Sequence, residues 1–488
     1  MLAVLVMAAS GMAVEVNSDL LRWVCKNGGG SSVRAVDEDG LRGLVADRDA
    51  SVGDVILEVP LALTISDIES GNDTPVLPLP GAAPAWTAGL PWNVQLALAV
   101  IERQRGAVDP FMSSWPSEPP ALPSRCEADE LALASDPSIA QKADEAFFWL
   151  DEQYWVAKKA AEGAGCVSEF PSAETFRDAL ELVWSRCLRL STGSHGVRRL
   201  LVPYLDLANH EAAPSAMYAF ASGASGGPAI RLHAARALRE GEPVTITYGE
   251  HSNCHFALYY GFVPEPSPFD AVQVTLPDVL SITPEALRGP EPAGGWEGAL
   301  RALAGHAALG GKPPDGAFEL RATAPEPALL HTLAELLPGG EAAAARAVAL
   351  TVAAIEEALW GAGASDDAAA AASIAADEAK LLASSCAVPA PEAEAEPLSE
   401  RGALMVRLRL SRRRLLSSLR RAMHDAADAF GEDSNAQGDD AAATAAAALA
   451  ARLAAATPEV YPELDKLPVE ELRGWETREW DWSSGAFR

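Results

Sequence analysis

Basic side chains are scarce relative to acids: 38 lysines and arginines stand against 68 aspartates and glutamates, a formal net charge of −30. Such a surface repels a phosphate backbone and argues against nonspecific duplex binding, while a basic protein or peptide remains a compatible partner. The same charge also serves plain solubility. Cysteine is sparse and scattered. Cys25, Cys126, Cys166, Cys187, Cys254 and Cys386 show no CxxC or other ligand spacing, so neither a disulfide scaffold nor a structural zinc cluster is indicated, no metal site is expected, and a reducing compartment is the simpler setting. Long uncharged apolar runs are missing as well, with no stretch of about eighteen residues of transmembrane character and hence no expected membrane span. The opening MLAVLVMAASGMAV is apolar, yet it lacks a basic start and is too short to cross a bilayer. It reads as a targeting remnant or a first helix.

What is present divides the 488 residues into more than one domain. Strand-like segments run from Val33 to Val36, Gly40 to Ala46 and Val55 to Pro60. Gly40 and Gly43 bracket a place where backbone can approach a ligand closely, although an ordinary hairpin accounts for them equally. Residues 71–91 are rich in proline and glycine and read as a loop. Helices are then expected from Asn93, a plausible N-cap, over 127–161, and from the Ser172 cap to Leu190, where Phe176, Leu180, Val183, Trp184 and Leu188 share one face. The stretch 85–195 is therefore a helical insertion. β character resumes at 200–203, 229–234 and 243–249.

After Phe262 the composition changes. A strand is expected at 270–276, then helices at about 326–361, 365–385 and 400–430, a polar connection at 387–398, an alanine-rich helix near 440–456 and a tail with Trp475, Trp480 and Trp482. Arginines 407, 409, 412, 413, 414, 420 and 421 crowd one helix, and in so acidic a chain they read as solvated or salt-bridged rather than as a nucleic-acid surface. The organisation is α+β: an N-terminal helix or targeting remnant at 1–30, β-sheets with a helical insertion at 31–270, and a mainly helical domain at 271–488.

One stretch suggests chemistry. In LVPYLDLANH, residues 201–210, Asp206, Asn209 and His210 follow a buried-looking apolar run, and buried polar groups need partners. Taken singly, His210 is a satisfied core histidine, Asn209 a turn residue, Arg186 a solvated helix residue and Tyr248 the end of a strand. Three stretches read together say more. LVPYLDLANH, VTITYGEHSNCHFALYYGF at 244–262 and GLRGLVADRDASVGDVILEVP at 40–60 resemble, in order, the split SET domain of the protein methyltransferases related to the Rubisco large-subunit lysine methyltransferase, and the segment from Pro110-Phe111 to Pro116 resembles that family's insertion. The resemblance covers roughly residues 20–265.

The resemblance implies SET-domain β-sheets with a knot-like threading, S-adenosyl-L-methionine as methyl donor, and a C-terminal helical domain that holds a protein substrate, with a monomer working in cytoplasm or chloroplast. Matched position by position, it implies that Gly40, Leu41 and Arg42 run along the cofactor, that Arg186 of the Ser185-Arg186 pair reaches its carboxylate, and that Asn209 and His210, with Asp206 beside them, hold its adenine end. It also places Tyr248 at the catalytic tyrosine and Tyr260 along the cofactor and the methyl-transfer channel. Cys187 and Leu188 depart from the family's small residue and aromatic, which implies different packing beneath the cofactor; Cys187 and Cys254 read as packing. The expected activity is methylation of a lysine in a protein. A histidine acceptor and a noncatalytic SET-fold binding module are the alternatives.

Overall fold

The computed structural model describes residues 14–38, 40–67, 83–106, 109–166, 168, 170–191, 197–224, 226–292, 295, 316–321, 325–385, 398–433, 480–481 and 486–487. The expected alanine helix at 440–456, Trp475, Trp482 and the first thirteen residues lie outside them. In chain order the first part runs β1 (Val14–Glu15), α1 (Ser18–Lys26), β2 (Gly30–Ser31), β3 (Val33–Glu38), β4 (Leu41–Ala46), β5 (Val55–Pro60) and β6 (Ile65–Ser66). Helices α2 (Trp92–Arg105), α3 (Pro110–Ser114), α4 (Ala128–Ala132), α5 (Pro137–Gly163) and α6 (Ala173–Trp184) follow. Strands β7 (Leu188–Ser191), β8 (Val197–Leu201), β9 (Asn209–His210), β10 (Ala216–Ser222), β11 (Pro228–Ala234) and β12 (Pro243–Ile246) then lead to α7 (Asn253–Tyr260).

The strands form small sheets ordered β1-β3-β4-β12-β9, β10-β11-β5-β2 and β6-β8-β7. β3 and β4 are a hairpin because Glu38 pairs with Leu41 and Gly40 between them takes φ +85°, a region where a side chain is strained. β6 closes on β8 by pairing Ile65 with Leu201, so residues on either side of the helical stretch meet in one sheet. The segment expected to be helical through Leu190 ends at Trp184, and Leu188–Ser191 pairs instead with β8. Two branches of evidence in the sequence conflict here: Leu188 and Leu190 fit the helical stripe, but both are buried against the sheet. The 127–161 segment is likewise two helices, since Asp136 accepts from Ser138 N and Pro137 starts a new N-terminus. Asn93 lies inside α2, buried, with Pro91 in the capping position.

Ser172 does cap α6, accepting from Thr175 N at 3.1 Å. Phe176, Leu180 and Val183 on its inner face are fully buried, and each such side chain contributes about 1.5–3 kcal/mol.

The second part contains β13 (Ala271–Thr275), α8 (Leu276–Ile282), α9 (Glu285–Arg288), β14 (Ala317–Arg321), α10 (Pro327–Leu336), α11 (Gly340–Trp360), α12 (Asp367–Ser385) and α13 (Glu400–Asp433), with a short hairpin pairing Trp480–Asp481 to Ala486–Phe487. The expected 326–361 helix is broken between Leu336 and Gly340. Leu415, Leu416, Leu419 and Met423 of α13 share a core with Ala344, Ala347, Val348 and Val352 of α11, whose alanines leave room for the leucines. Toward its start, α13 sends Leu404, Met405 and Leu408 into a separate core with Ile139 of α5 and Ala257 and Leu258 of α7. Its arginines are engaged: Arg409 grips Asp377, Arg414 reaches Glu265 and Glu378, and Arg420 reaches Glu356 and Asp367. Among the described residues no helix is long and apolar enough to cross a membrane.

Candidate active site

The stretch 201–210 is a strand that breaks. β8 ends at Leu201, Tyr204 takes the unusual φ of +69°, and Leu205–Leu207 forms one 3-10 turn before β9. The Tyr204 conformation is held from outside, because its ring is buried and its hydroxyl accepts the Ala35 N–H of β3 at 2.7 Å. The turn drives Asp206 inward and delivers Asn209 and His210 to the edge of the first sheet. There β9 runs parallel to β12, pairing Asn209 with Thr245 and His210 with Ile246.

The expected site residues converge on this edge. Asn209 donates its side-chain amide to the carbonyl of Arg42 at 2.9 Å, tying β9 to the start of β4. His210 Nδ1 accepts the backbone N–H of Tyr248 at 3.1 Å, so the neutral ring carries its proton on Nε2. Burial, assisted by the neighbouring His251, pushes His210 down to about 4, which keeps it neutral. The Tyr248 hydroxyl donates to the carbonyl of Ala208 at 2.8 Å. Thus the chain from Ala208 to His210 is clamped to Tyr248 at two points.

Around this clamp the rings close in. Tyr248 and Tyr260 stack with centroids 5.2 Å apart and planes 22° from parallel, and Phe262 meets both edge-on at 6.3 and 6.2 Å. Phe256 packs 4.6 Å from the His210 ring. Burial pushes the Tyr248 phenol up to about 12 and the Tyr260 phenol higher still, so both stay protonated.

A charge cluster adjoins the rings. Arg186, just past α6, donates to Asp206 Oδ2 at 3.1 Å and to its carbonyl at 3.3 Å. Burial raises the Asp206 carboxyl, and Arg186 opposes the shift. Arg42 feels both: burial and the Arg186 charge push its guanidinium down while Asp206 pulls it up, and its Nη1 donates to the Ser114 carbonyl at 2.9 Å. Asp37 also pulls Arg42 up, and Arg186 Nε and Asp206 Oδ1 are each buried without a hydrogen-bond partner. Gly40 stands at the hairpin turn and Leu41 is 39% exposed, so these two touch the site through backbone position and not through the clamp.

Four contributors escaped the sequence reading: Tyr204, Trp115, Phe256 and Phe262. The Trp115 ring lies 5.8 Å from the Arg186 guanidinium, and Phe256 and Phe262 sit inside the motif that carried the resemblance without any local signal to separate them from core. Beyond α7 a cavity of about 370 Å³ opens between α5, the end of α6 and β13, lined by Trp149, Trp184, Cys254, His255, Tyr259 and Gln273 among others.

No family model matches the chain. The SET domain of LSMT bound to methyllysine and AdoHcy superposes with a TM-score of 0.55 at 18% identity, covering 86% of this chain and 94% of that one. The fold is that of a SET domain. Rubisco LSMT bound to AdoMet gives a TM-score of 0.52, also at 18% identity, over 85% of this chain and 92% of the other. SET domain-containing protein 8 of Schizosaccharomyces pombe is 36% identical over 86 residues, 17% of this chain and 18% of that protein, so the match spans under a fifth of the curated relative. The SET-domain β-sheets interrupted by helices, and the helical C-terminal region after them, follow the α+β arrangement that the motifs implied.

Proposed function

We propose that the chain is an S-adenosyl-L-methionine-dependent methyltransferase that modifies a lysine side chain of a protein held by the helical C-terminal region. The observation that carries this reading is the stacked pair of neutral phenols, Tyr248 and Tyr260, placed beside the buried Arg186–Asp206 pair with Arg42 close by. The donor fits these residues. Its amino-acid carboxylate suits the guanidiniums of Arg42 and Arg186, where the buried Arg186 Nε is an unused donor, and the Gly40 turn and the β4 and β9 backbones would border it. When bound, the donor supplies an electrophilic methyl on a sulfonium.

The protein's part is alignment and exclusion of water. An in-line displacement needs the amine placed behind the methyl, and no covalent intermediate. Neither Cys187 nor Cys254 is a nucleophile, since burial pushes both thiols up. Presenting a lysine as the free amine near pH 8 costs about 3 kcal/mol from its reference pKa, and desolvation among Tyr248, Tyr260, Phe256 and Phe262 offsets much of it. The Tyr248 proton is committed to the Ala208 carbonyl, which leaves the phenol oxygen to accept a hydrogen bond from the amine and turn its lone pair. A phenol held protonated up to about 12 orients and does not act as a strong base.

Incubation with methyl-tritiated S-adenosylmethionine and cell extract, followed by identification of the labelled residue, tests the proposal. Label on lysine is the expected result, and label on histidine changes the acceptor. Absence of any calorimetric heat or thermal shift with S-adenosylmethionine overturns the catalytic reading and leaves the binding module.

A further inference from the structure

Helix α5 has an outer face that its own fold does not use. Phe148 and Trp155, one heptad apart and so on the same side of the helix, are 68% and 57% exposed. An exposed aromatic pair on an otherwise acidic helix costs solubility and marks an interaction site more often than chance. From Asp144 to Glu152 the helix carries four acids, Asp144, Glu145, Asp151 and Glu152, all exposed, and no base. Among the described residues Asp144, Asp151 and Glu152 have no cation in salt-bridge reach, and Glu145 only accepts from Gln141. Of the nearby helix cations, Lys142 Nζ lies 3.7 Å from Cys254 Sγ and Lys158 Nζ sits 5.1 Å over the Trp155 ring, while the exposed Lys159, one turn beyond Trp155, sets a single positive charge against the four acids.

Rings bordered by carboxylates suit one side-chain chemistry. Lysine and arginine lay their alkyl stems on an aromatic face while the charged head meets an acid or the ring itself. Lys158 over Trp155 already shows that this ring takes a cation. The position also matters. Glu145 and Trp149 line the 370 Å³ cavity together with His255 and Tyr259, and the His255 ring is 6.2 Å from Tyr260. The face therefore shares Glu145 with the wall of the cavity.

We propose that the outer face of α5 binds a lysine- and arginine-rich segment of the methyl-accepting protein, its basic side chains lying across Phe148 and Trp155 with their heads on Asp144, Glu145, Asp151 and Glu152. The inference rests on the methyltransferase reading for the identity of the partner, and it names that partner's chemistry. The test is fluorescence anisotropy on the full chain with two labelled twelve-residue peptides, one alternating lysine or arginine with leucine, the other carrying aspartate and glutamate in place of the bases. The basic peptide is expected to bind at least about tenfold more tightly, and Phe148→Ser/Trp155→Ser and Asp151→Lys/Glu152→Lys are each expected to lose about tenfold of that affinity, as a short anchor cluster does. All four positions are exposed, so the variants should fold, and S-adenosylmethionine calorimetry on them reports the donor site separately. Equal binding of the two peptides, or variants that bind the basic peptide as the parent does, overturns the proposal. Selective peptide binding without any donor binding keeps the surface and removes the methyltransferase reading; donor binding without peptide selectivity does the reverse.

Discussion

Beside the phenols, Arg186 pairs with the buried carboxylate of Asp206 while Arg42 lies in the field of Arg186, Asp206 and Asp37, whereas in the C-terminal bundle Arg420 is held by two acids, Glu356 at 2.6 Å and Asp367 at 2.9 Å. Glu356 is fully buried and also accepts from Ser417 at 3.2 Å, so its charge is answered within the fold. A buried charge without enough partners is costly, and chains keep such an arrangement where something else completes it. The bundle cluster is closed and serves packing. The site cluster instead keeps a buried donor, Arg186 Nε, and a buried acceptor, Asp206 Oδ1, without hydrogen-bond partners, and this difference separates a binding place from a scaffold.

That contrast can be broken most severely at its cations. Arg420→Met strands Glu356 and should cost about 3–5 kcal/mol in denaturant unfolding, while Arg186→Met leaves Asp206 the field of Arg42 and should cost less. Only Arg186→Met should also abolish S-adenosylmethionine binding by calorimetry; equal loss of donor affinity in both would erase the distinction drawn between the clusters. A second test uses protons. His210 and His251 are each held down to about 4 by burial, against about 6.5 unfolded. At neutral pH both states carry neutral rings, so stability is full; as pH falls below about 6.5 the unfolded chain takes protons that the folded chain refuses, and up to about 3 kcal/mol per ring is lost by pH 4. His210→Gln should flatten that slope in urea titrations.

Next in size, Tyr248→Phe should lower the rate of methyl transfer by about a hundredfold with donor affinity retained, because one oriented polar contact is removed. An unchanged rate would strip the hydroxyl of its orienting role. The smallest effect is expected on the scaffold side. Ser411 donates to Asp270 at 2.7 Å and accepts from Asn253 at 2.6 Å, and Ser411→Ala should cost about 1–2 kcal/mol in thermal unfolding without touching donor binding.

The clustering of the candidate residues was foreshadowed by ordered polar residues recurring in three separate stretches, and the fold brings Arg42, Asn209, His210 and Tyr248 within hydrogen-bonding reach of one another's segments. What stayed illegible depends on distance in sequence. The parallel pairing of β9 with β12 joins residues with no local signal for it, and β9 is only two residues long. Tyr204 gives no warning of its φ of +69°, since the strain is compensated by Ala35 across the sheet. Leu188 and Leu190 satisfy a helical stripe and a strand alike, and only the partner strand decides between them. Cys187, read as packing, does lie against the main core.

Helix α13 spans about 50 Å at the usual rise per residue, and its two ends belong to different cores. Near its middle, Ser411 joins Asn253, the first residue of the helix that ends at Tyr260, to Asp270, which itself receives the Asn253 N–H at 2.9 Å. The helix is a rigid rod fastened at mid-length to the base of the element carrying a channel phenol. A chain cut ahead of residue 400 would therefore take away, along with the bundle core, the side-chain partner of Asn253 at the start of the helix that carries Tyr260.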